Sequence, residues 1–282
     1  MSRDPLSVLS DELGKGGPCG FDVVEDMAAA SRRFADMLFE EYGEAKRRGR
    51  DKVVFIVPVG PVGQFELFAA RANAERLSLR DLVVVNMDEY LSPDGRDLIP
   101  IADPLSFRGH MERNLWSRLD PALAPPEEQR HFPSPLRPEE TTRMVERLGG
   151  VDVAFGGVGI TGHLAFNDPP EPGEPIDTDA FACLPTRVVR LSRETLTINS
   201  VTAARGNIDR IPQLAVTVGM KEILEARKVR IFMNRPWQCA VVRKLLHGPV
   251  TAACPASLLQ RHPDVRVTIT REVAELPEPT LR

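Results

Sequence analysis

Val53-Val54-Phe55-Ile56-Val57 is an unbroken apolar run. A strand with one wet face alternates apolar and polar residues, whereas an unbroken run suits a strand covered on both faces, as in a parallel sheet. Comparable runs recur at residues 82–85, 151–155, 214–218, 229–233 and 265–269. Helical patterns separate them. Met27, Phe34 and Leu38 recur at helical spacing, and their helix closes near the basic run 46–50, where cations suit a helix C-terminus. Further helices are expected at 65–77, 138–148, 219–226 and 236–247. Strands alternating with helices predict an α/β protein, a three-layer, doubly wound, mostly parallel sheet.

Residues 1–20 are polar and glycine-rich, and read as a loose N-terminal arm before a single domain at 21–282. The proline-rich stretch 121–138 reads as a surface connection rather than a boundary. With 42% hydrophobic and 27% charged residues, the composition excludes a largely disordered chain. A net charge of −4 gives no electrostatic footprint for nucleic acid. No apolar run reaches the roughly 18 residues of a membrane span, and the N-terminus lacks a signal-peptide core, so a cytoplasmic protein is expected. Cys19, Cys183, Cys239 and Cys254 are scattered, and the five histidines show no ligand spacing. Neither a metal nor a cofactor is expected.

Ligands of open α/β sheets bind beyond the carboxyl ends of the strands. After the first run comes Pro58-Val59-Gly60-Pro61-Val62-Gly63, a glycine-containing turn into a helix. Such turns can cradle phosphate through free N–H groups. Pro61 has none to give, so a plain tight turn is the simpler reading. After the second run comes Asn86-Met87-Asp88-Glu89-Tyr90, two adjacent carboxylates where a ligand belongs. A carboxylate at a low-dielectric sheet end can act as a general base. The third segment runs from Gly156 to Pro169, with four glycines in its first seven positions. It delivers His163, the side chain best poised for proton transfer near neutral pH, followed by Asn167 and Asp168. Together they suit proton shuttling on a small polar ligand, as an aldose–ketose isomerisation requires.

From about Val53 to Val267 the chain resembles the glucosamine-6-phosphate deaminases (isomerases), relatives of the 6-phosphogluconolactonases. The likeness rests on Asn86-Met87-Asp88-Glu89-Tyr90 and on Gly156-Gly157-Val158-Gly159 continuing to Gly162-His163-Leu164-Ala165-Phe166-Asn167. Shorter matches fall at 103–107, 211–219 and 257–263. The resemblance implies a Rossmann-like fold and a small-molecule sugar substrate. Asp88 would be the base moving a proton between C1 and C2, and His163 the ring-opening acid–base group. Asp168 would be its carboxylate partner, with Gly60, Glu89, Gly157, Thr161 and Asn167 as substrate contacts. A homo-oligomer is allowed, but no stretch marks an interface.

The departures are specific. Asp168 stands where the family has glutamate, one methylene longer, so a lost or water-mediated contact to His163 is expected. Thr161 replaces an aspartate and cannot carry its charge. The family's phosphate turn is Val59-Gly60-Pro61-Val62-Gly63 here, its arginine is Val201, and its lysine falls at Gln238. Arg193 and Arg235 lie near enough to substitute. Burying a phosphate without cationic partners is costly. An altered sugar substrate is therefore expected, the alternative being a non-catalytic sugar-binding or regulatory paralogue.

Overall fold

The computed structural model describes residues 4–171, 173–174 and 177–279. Along the chain the strands and helices are β1 (Gly20–Val24), α1 (Met27–Arg47), β2 (Val53–Val57), α2 (Gln64–Ala74), β3 (Leu82–Asn86), β4 (Asp88–Tyr90), α3 (Phe107–Asn114), β5 (Arg130–His131), α4 (Glu139–Arg147) and β6 (Val153–Gly156). They continue with α5 (Thr178–Ala182), β7 (Arg187–Arg190), α6 (Arg193–Ala203), β8 (Leu214–Thr217), α7 (Met220–Leu224), β9 (Lys228–Met233), α8 (Cys239–His247), β10 (Val265–Thr270) and α9 (Arg271–Ala274).

The main sheet has seven strands in the order β1-β10-β9-β6-β2-β3-β5, every pair parallel. The unbroken apolar runs behave as both-face strands should. Val53, Phe55 and Val57 join one buried cluster, while Val54 and Ile56 join the other. Leu82 and Val84 divide from Val83 and Val85 in the same way, a direct result of the two-residue side-chain period. Helices α1, α2 and α3 cover the first face, and α4, α7 and α8 the second. Asp26 caps α1 by accepting from Ala29 N at 2.8 Å. Phe34 of α1 then stacks on Phe232 at 4.2 Å and on Phe155 at 5.3 Å, fastening that helix over the middle of the sheet.

The chain runs outward from β2 through β3 to β5, then returns to lay β6 beside β2 on the other side. The loops leaving β2 and β6 therefore diverge, and a crevice opens at their carboxyl ends.

Three expectations need correction. The run 214–218 is not a strand of the main sheet. It forms β8, the centre of a separate antiparallel sheet β4-β8-β7, with Asp88 opposite Thr217. The stretch 121–138 is more than a connection, since Arg130–His131 pairs with β3 as the sheet edge. Residues 4–19 are not loose. Val8, Leu13 and Cys19 are buried in the core, and β1 follows directly as the other edge.

The arm is held by Arg243 of α8, which is fully buried. Its guanidinium donates to the carbonyls of Val8, Cys239, Ala274 and Glu275 at 2.8–2.9 Å. One side chain thus ties Val8 and the segment Ala274–Glu275 to α8. No helix among the described residues is long and apolar enough to cross a membrane. Replacing Arg243 with Met keeps the bulk but leaves buried carbonyls unpaired, which costs on the order of 3 kcal/mol. Thermal denaturation should show a clearly lowered Tm for Arg243→Met, and limited proteolysis should cut first near residues 4–10. An unchanged Tm would contradict this account of the arm.

Candidate active site

A cavity of about 340 Å³ fills the crevice, within the range of roughly 300–1,000 Å³ usual for small-ligand sites. Its floor is residues 58–62 after β2 and Gly157–Gly159 after β6. Asp88, Tyr90, Phe107, His163 and Phe166 form one side, and residues 234–238 after β9 another.

Asp88 sits at the seam between the two sheets. Met87 N donates to Val57 O at 2.9 Å, and Val218 N donates to Met87 O at 2.6 Å, so the chain is gripped from both sides just before it. The Asp88 carboxyl has no hydrogen-bond or ion-pair partner among the described residues, yet it borders the cavity. Burial, with the neighbouring Glu89 charge adding, pushes its pKa up to about 8.

His163 is carried by the glycine-rich loop. Gly162 takes a φ of +88°, and a side chain there would meet Cys254 Sγ at 2.7 Å. At Gly159 a Cβ would lie 1.9 Å from His163 Nε2, so the imidazole rests directly on bare backbone. Its other nitrogen, Nδ1, lies 2.8 Å from Asp168 Oδ1. A carboxylate accepts only, so this contact puts the proton on Nδ1 and leaves Nε2 as the acceptor. The expected loss of that contact does not occur. The loop brings Asp168 close enough for its shorter side chain to reach.

Thr161 and Thr195 complete the arrangement. Each hydroxyl donates to Asp168 Oδ1 at 2.8 Å, and Ser192 N donates to Oδ2 at 3.2 Å. Burial alone would raise the Asp168 pKa, but the His163 contact and the two threonine bonds hold it well below the usual carboxylate range. Asp168 stays ionised behind the ring and can stabilise an imidazolium.

Gly60, Gly157, Asp88 and His163 all border the cavity. Three residues expected as substrate contacts do not. Glu89 is fully buried and accepts from Ser106 Oγ and from the N–H groups of Tyr90, Phe107 and Arg108, so it anchors the start of α3. Asn167 is fully buried, donating to the carbonyls of Leu164 and Val218 and accepting from Arg187 Nη1, and so it braces the loop. Thr161 lies behind His163 with its hydroxyl on Asp168. Val201 is exposed and outside the cavity wall, and Arg193 is also outside it, whereas Gln238 and Arg235 border it.

Other wall residues were not anticipated. The Tyr90 hydroxyl accepts from Asn199 Nδ2 at 2.9 Å. Tyr90 packs with Phe107 at 5.0 Å and Phe166 at 5.6 Å, an aromatic side suited to the apolar face of a sugar ring. Tyr90 lay within a motif already singled out, and Asn199 belongs to the Asn199-Ser200 pair that places Val201, but Asn234 on the wall and Thr195 behind His163 carry no local signal. Among the described residues, no group of three or more His, Cys, Asp or Glu is placed to hold a metal ion.

No protein-family model matches the chain. Curated relatives do. The chain is 29% identical over 261 residues to the glucosamine-6-phosphate deaminase of Shouchella clausii, covering 90% of this chain and 95% of the relative. It is 30% identical to that of Lachnoclostridium phytofermentans over 73% of this chain and 81% of the relative. Among solved structures, a monomeric glucosamine-6-phosphate deaminase aligns with a TM-score of 0.73 at 25% identity, over 90% of this chain and 98% of the other. The 6-phosphogluconolactonase of Thermotoga maritima shares the fold, with a TM-score of 0.64 at 13% identity over 90% of this chain and all of the other. A seven-stranded parallel sheet, a cavity at its switch point and these identities over most of the length agree: the chain belongs to the glucosamine-6-phosphate deaminase family.

Proposed function

We propose that the protein isomerises and deaminates an amino sugar that is not held by the family's phosphate grip. The observation carrying this reading is that an unpartnered carboxyl, Asp88, and an oriented imidazole, His163, border one cavity from separate sheet ends.

His163 moves a proton between the anomeric hydroxyl and the ring oxygen, which opens the pyranose. Nε2 accepts the proton, and Asp168 balances the imidazolium. Asp88, once ionised, takes a proton from C2, exchanges it with solvent while the enolamine is held, and gives a proton to C1. The aldose becomes a C2 imine, water adds at C2, and ammonia leaves to give the ketose. Phe107, Phe166 and Tyr90 supply a dry side that keeps the Asp88 pKa high.

The altered substrate is supported by where the substitute residues put their hydrogen bonds. Gln238, in place of a cation, donates Nε2 to Val158 O at 2.8 Å and accepts from Asn234 N and Arg235 N, so it has little left for a ligand. Residues 58–62 offer no side-chain hydroxyl, and Pro61 offers no N–H. Val201 points away.

Ammonia release and ketose formation from a panel of amino sugars test the reaction. Activity should rise with pH through about 8 as Asp88 ionises, and Asp88→Asn should remove it. Inactivity of the wild type on every amino sugar, with the fold intact, would contradict the reading. Stability should move the other way. The unfolded chain ionises this carboxyl near its ordinary 3.8, while the folded chain keeps the proton up to about 8. The cost to folding is therefore absent below pH 4 and grows to a plateau above 8. Asp88→Asn should raise Tm at pH 8 and leave it unchanged at pH 3.5; an equal gain at both would refute the assigned pKa.

The His163 seat is tested separately. Gly159→Ala puts a methyl where Nε2 now rests and should lower kcat at least about a hundredfold. Circular dichroism should remain native. Retained turnover would place ring opening elsewhere.

A further inference from the structure

We propose that Asn234 and Arg235 form a receptor for a single negative charge on the substrate, so that the sugar is an amino sugar bearing a carboxylate. This rests on the sugar-isomerase reading above and adds the class of sugar.

Both residues follow β9, whose neighbour β6 carries the His163 loop, so they face the same cavity as the reacting groups. Asn234 is only 5% exposed, and its side-chain amide has no hydrogen-bond partner among the described residues. Its amide atoms are not among those sealed from solvent without a partner, so they are free to bond an acceptor that enters the cavity. The Arg235 guanidinium likewise has no partner among the described residues, and of the described residues bordering the cavity it alone is cationic. Two donors of matching chemistry thus stand side by side, unspent, at a ligand-sized space.

Their backbone is fixed. Asn234 N and Arg235 N both donate to Gln238 Oε1, at 2.9 and 2.8 Å, while Gln238 Nε2 holds Val158 O. Gln238 therefore braces the donors against the β6 loop. It does not bind the ligand itself.

Charge decides between anions. A guanidinium pairs with a carboxylate through two parallel N–H···O bonds, one charge against one. A phosphate monoester carries about −1.5 to −2 at neutral pH. It would leave charge uncompensated in a cavity where, of the described residues, Arg235 alone is cationic. The turn at 58–62 adds no cationic or hydroxyl side chain to balance the excess. The site fits a monoanion.

The test is calorimetric titration at pH 7 of 2-amino-2-deoxyglucuronate, glucosamine and glucosamine 6-phosphate. Wild type is compared with Arg235→Gln, Arg235→Lys and Asn234→Asp, each checked for native circular dichroism. Wild type should bind the uronate about tenfold or more tighter than glucosamine, the scale of a charge-assisted pair. Arg235→Gln should erase that preference, Arg235→Lys should keep part of it, and Asn234→Asp should weaken the uronate while sparing glucosamine. Four results would overturn the proposal: no binding of the uronate, equal binding of neutral and acidic sugars, tighter binding of the 6-phosphate, or indifference to Arg235→Gln. The readout is affinity and not turnover. Uronate that binds through Arg235 without reacting would sink the isomerase reading alone. Turnover of glucosamine with no preference for the acid would sink this inference alone.

Discussion

The contact between His163 Nδ1 and Asp168 Oδ1, at 2.8 Å, is what the chemistry of the site depends on. It fixes which ring nitrogen carries the proton and which faces the ligand. Its supports are spread along the chain. Gly159 must lack a side chain for the ring to lie down, and Gly162 must take a left-handed turn to aim it. Asn167 spends its whole amide holding the same loop to Val218 and Arg187. Thr161 and Thr195 then pin the carboxylate from two elements. Thr161, where the family resemblance sets the expectation of an aspartate, supplies a hydroxyl donor to Asp168 Oδ1. A hydroxyl adds a hydrogen bond to the dyad without adding a negative charge.

Much of the main sheet could be read in advance because its strands are buried on both faces and carry unbroken apolar runs. Burial of Val53–Val57 and Leu82–Asn86 at every position is the same fact seen from inside. Strands without that property were invisible. β4 is three residues, β5 two, and Arg187–Arg190 alternates between half-buried and exposed. β1 has no fully buried residue, being an edge. The N-terminal arm looked loose because its anchor, Arg243, lies more than two hundred residues away, and nothing local announces a long-range bond of that kind.

The site divides along similar lines. Asp88 and His163 stood out because a strand end and a glycine-rich loop are where ligands belong, and the structure brings them to one cavity. Glu89 and Asn167 shared the same motifs, yet their polar atoms are consumed inside the protein. Sequence proximity to a site does not reveal where a donor points. Thr195 and Asn234 sit in unremarkable contexts and acquire meaning only through neighbours brought in by folding.

Asp88 shows the trade on which the account rests. A carboxyl held among apolar walls without a partner weakens the fold at neutral and alkaline pH and gains basicity in return. The most direct measurement is proton exchange between substrate and solvent. In deuterium oxide, NMR should show deuterium entering the sugar at C1 and C2, at a rate that climbs through a pH of about 8. A sugar that binds in the cavity and never exchanges these hydrogens would contradict the account.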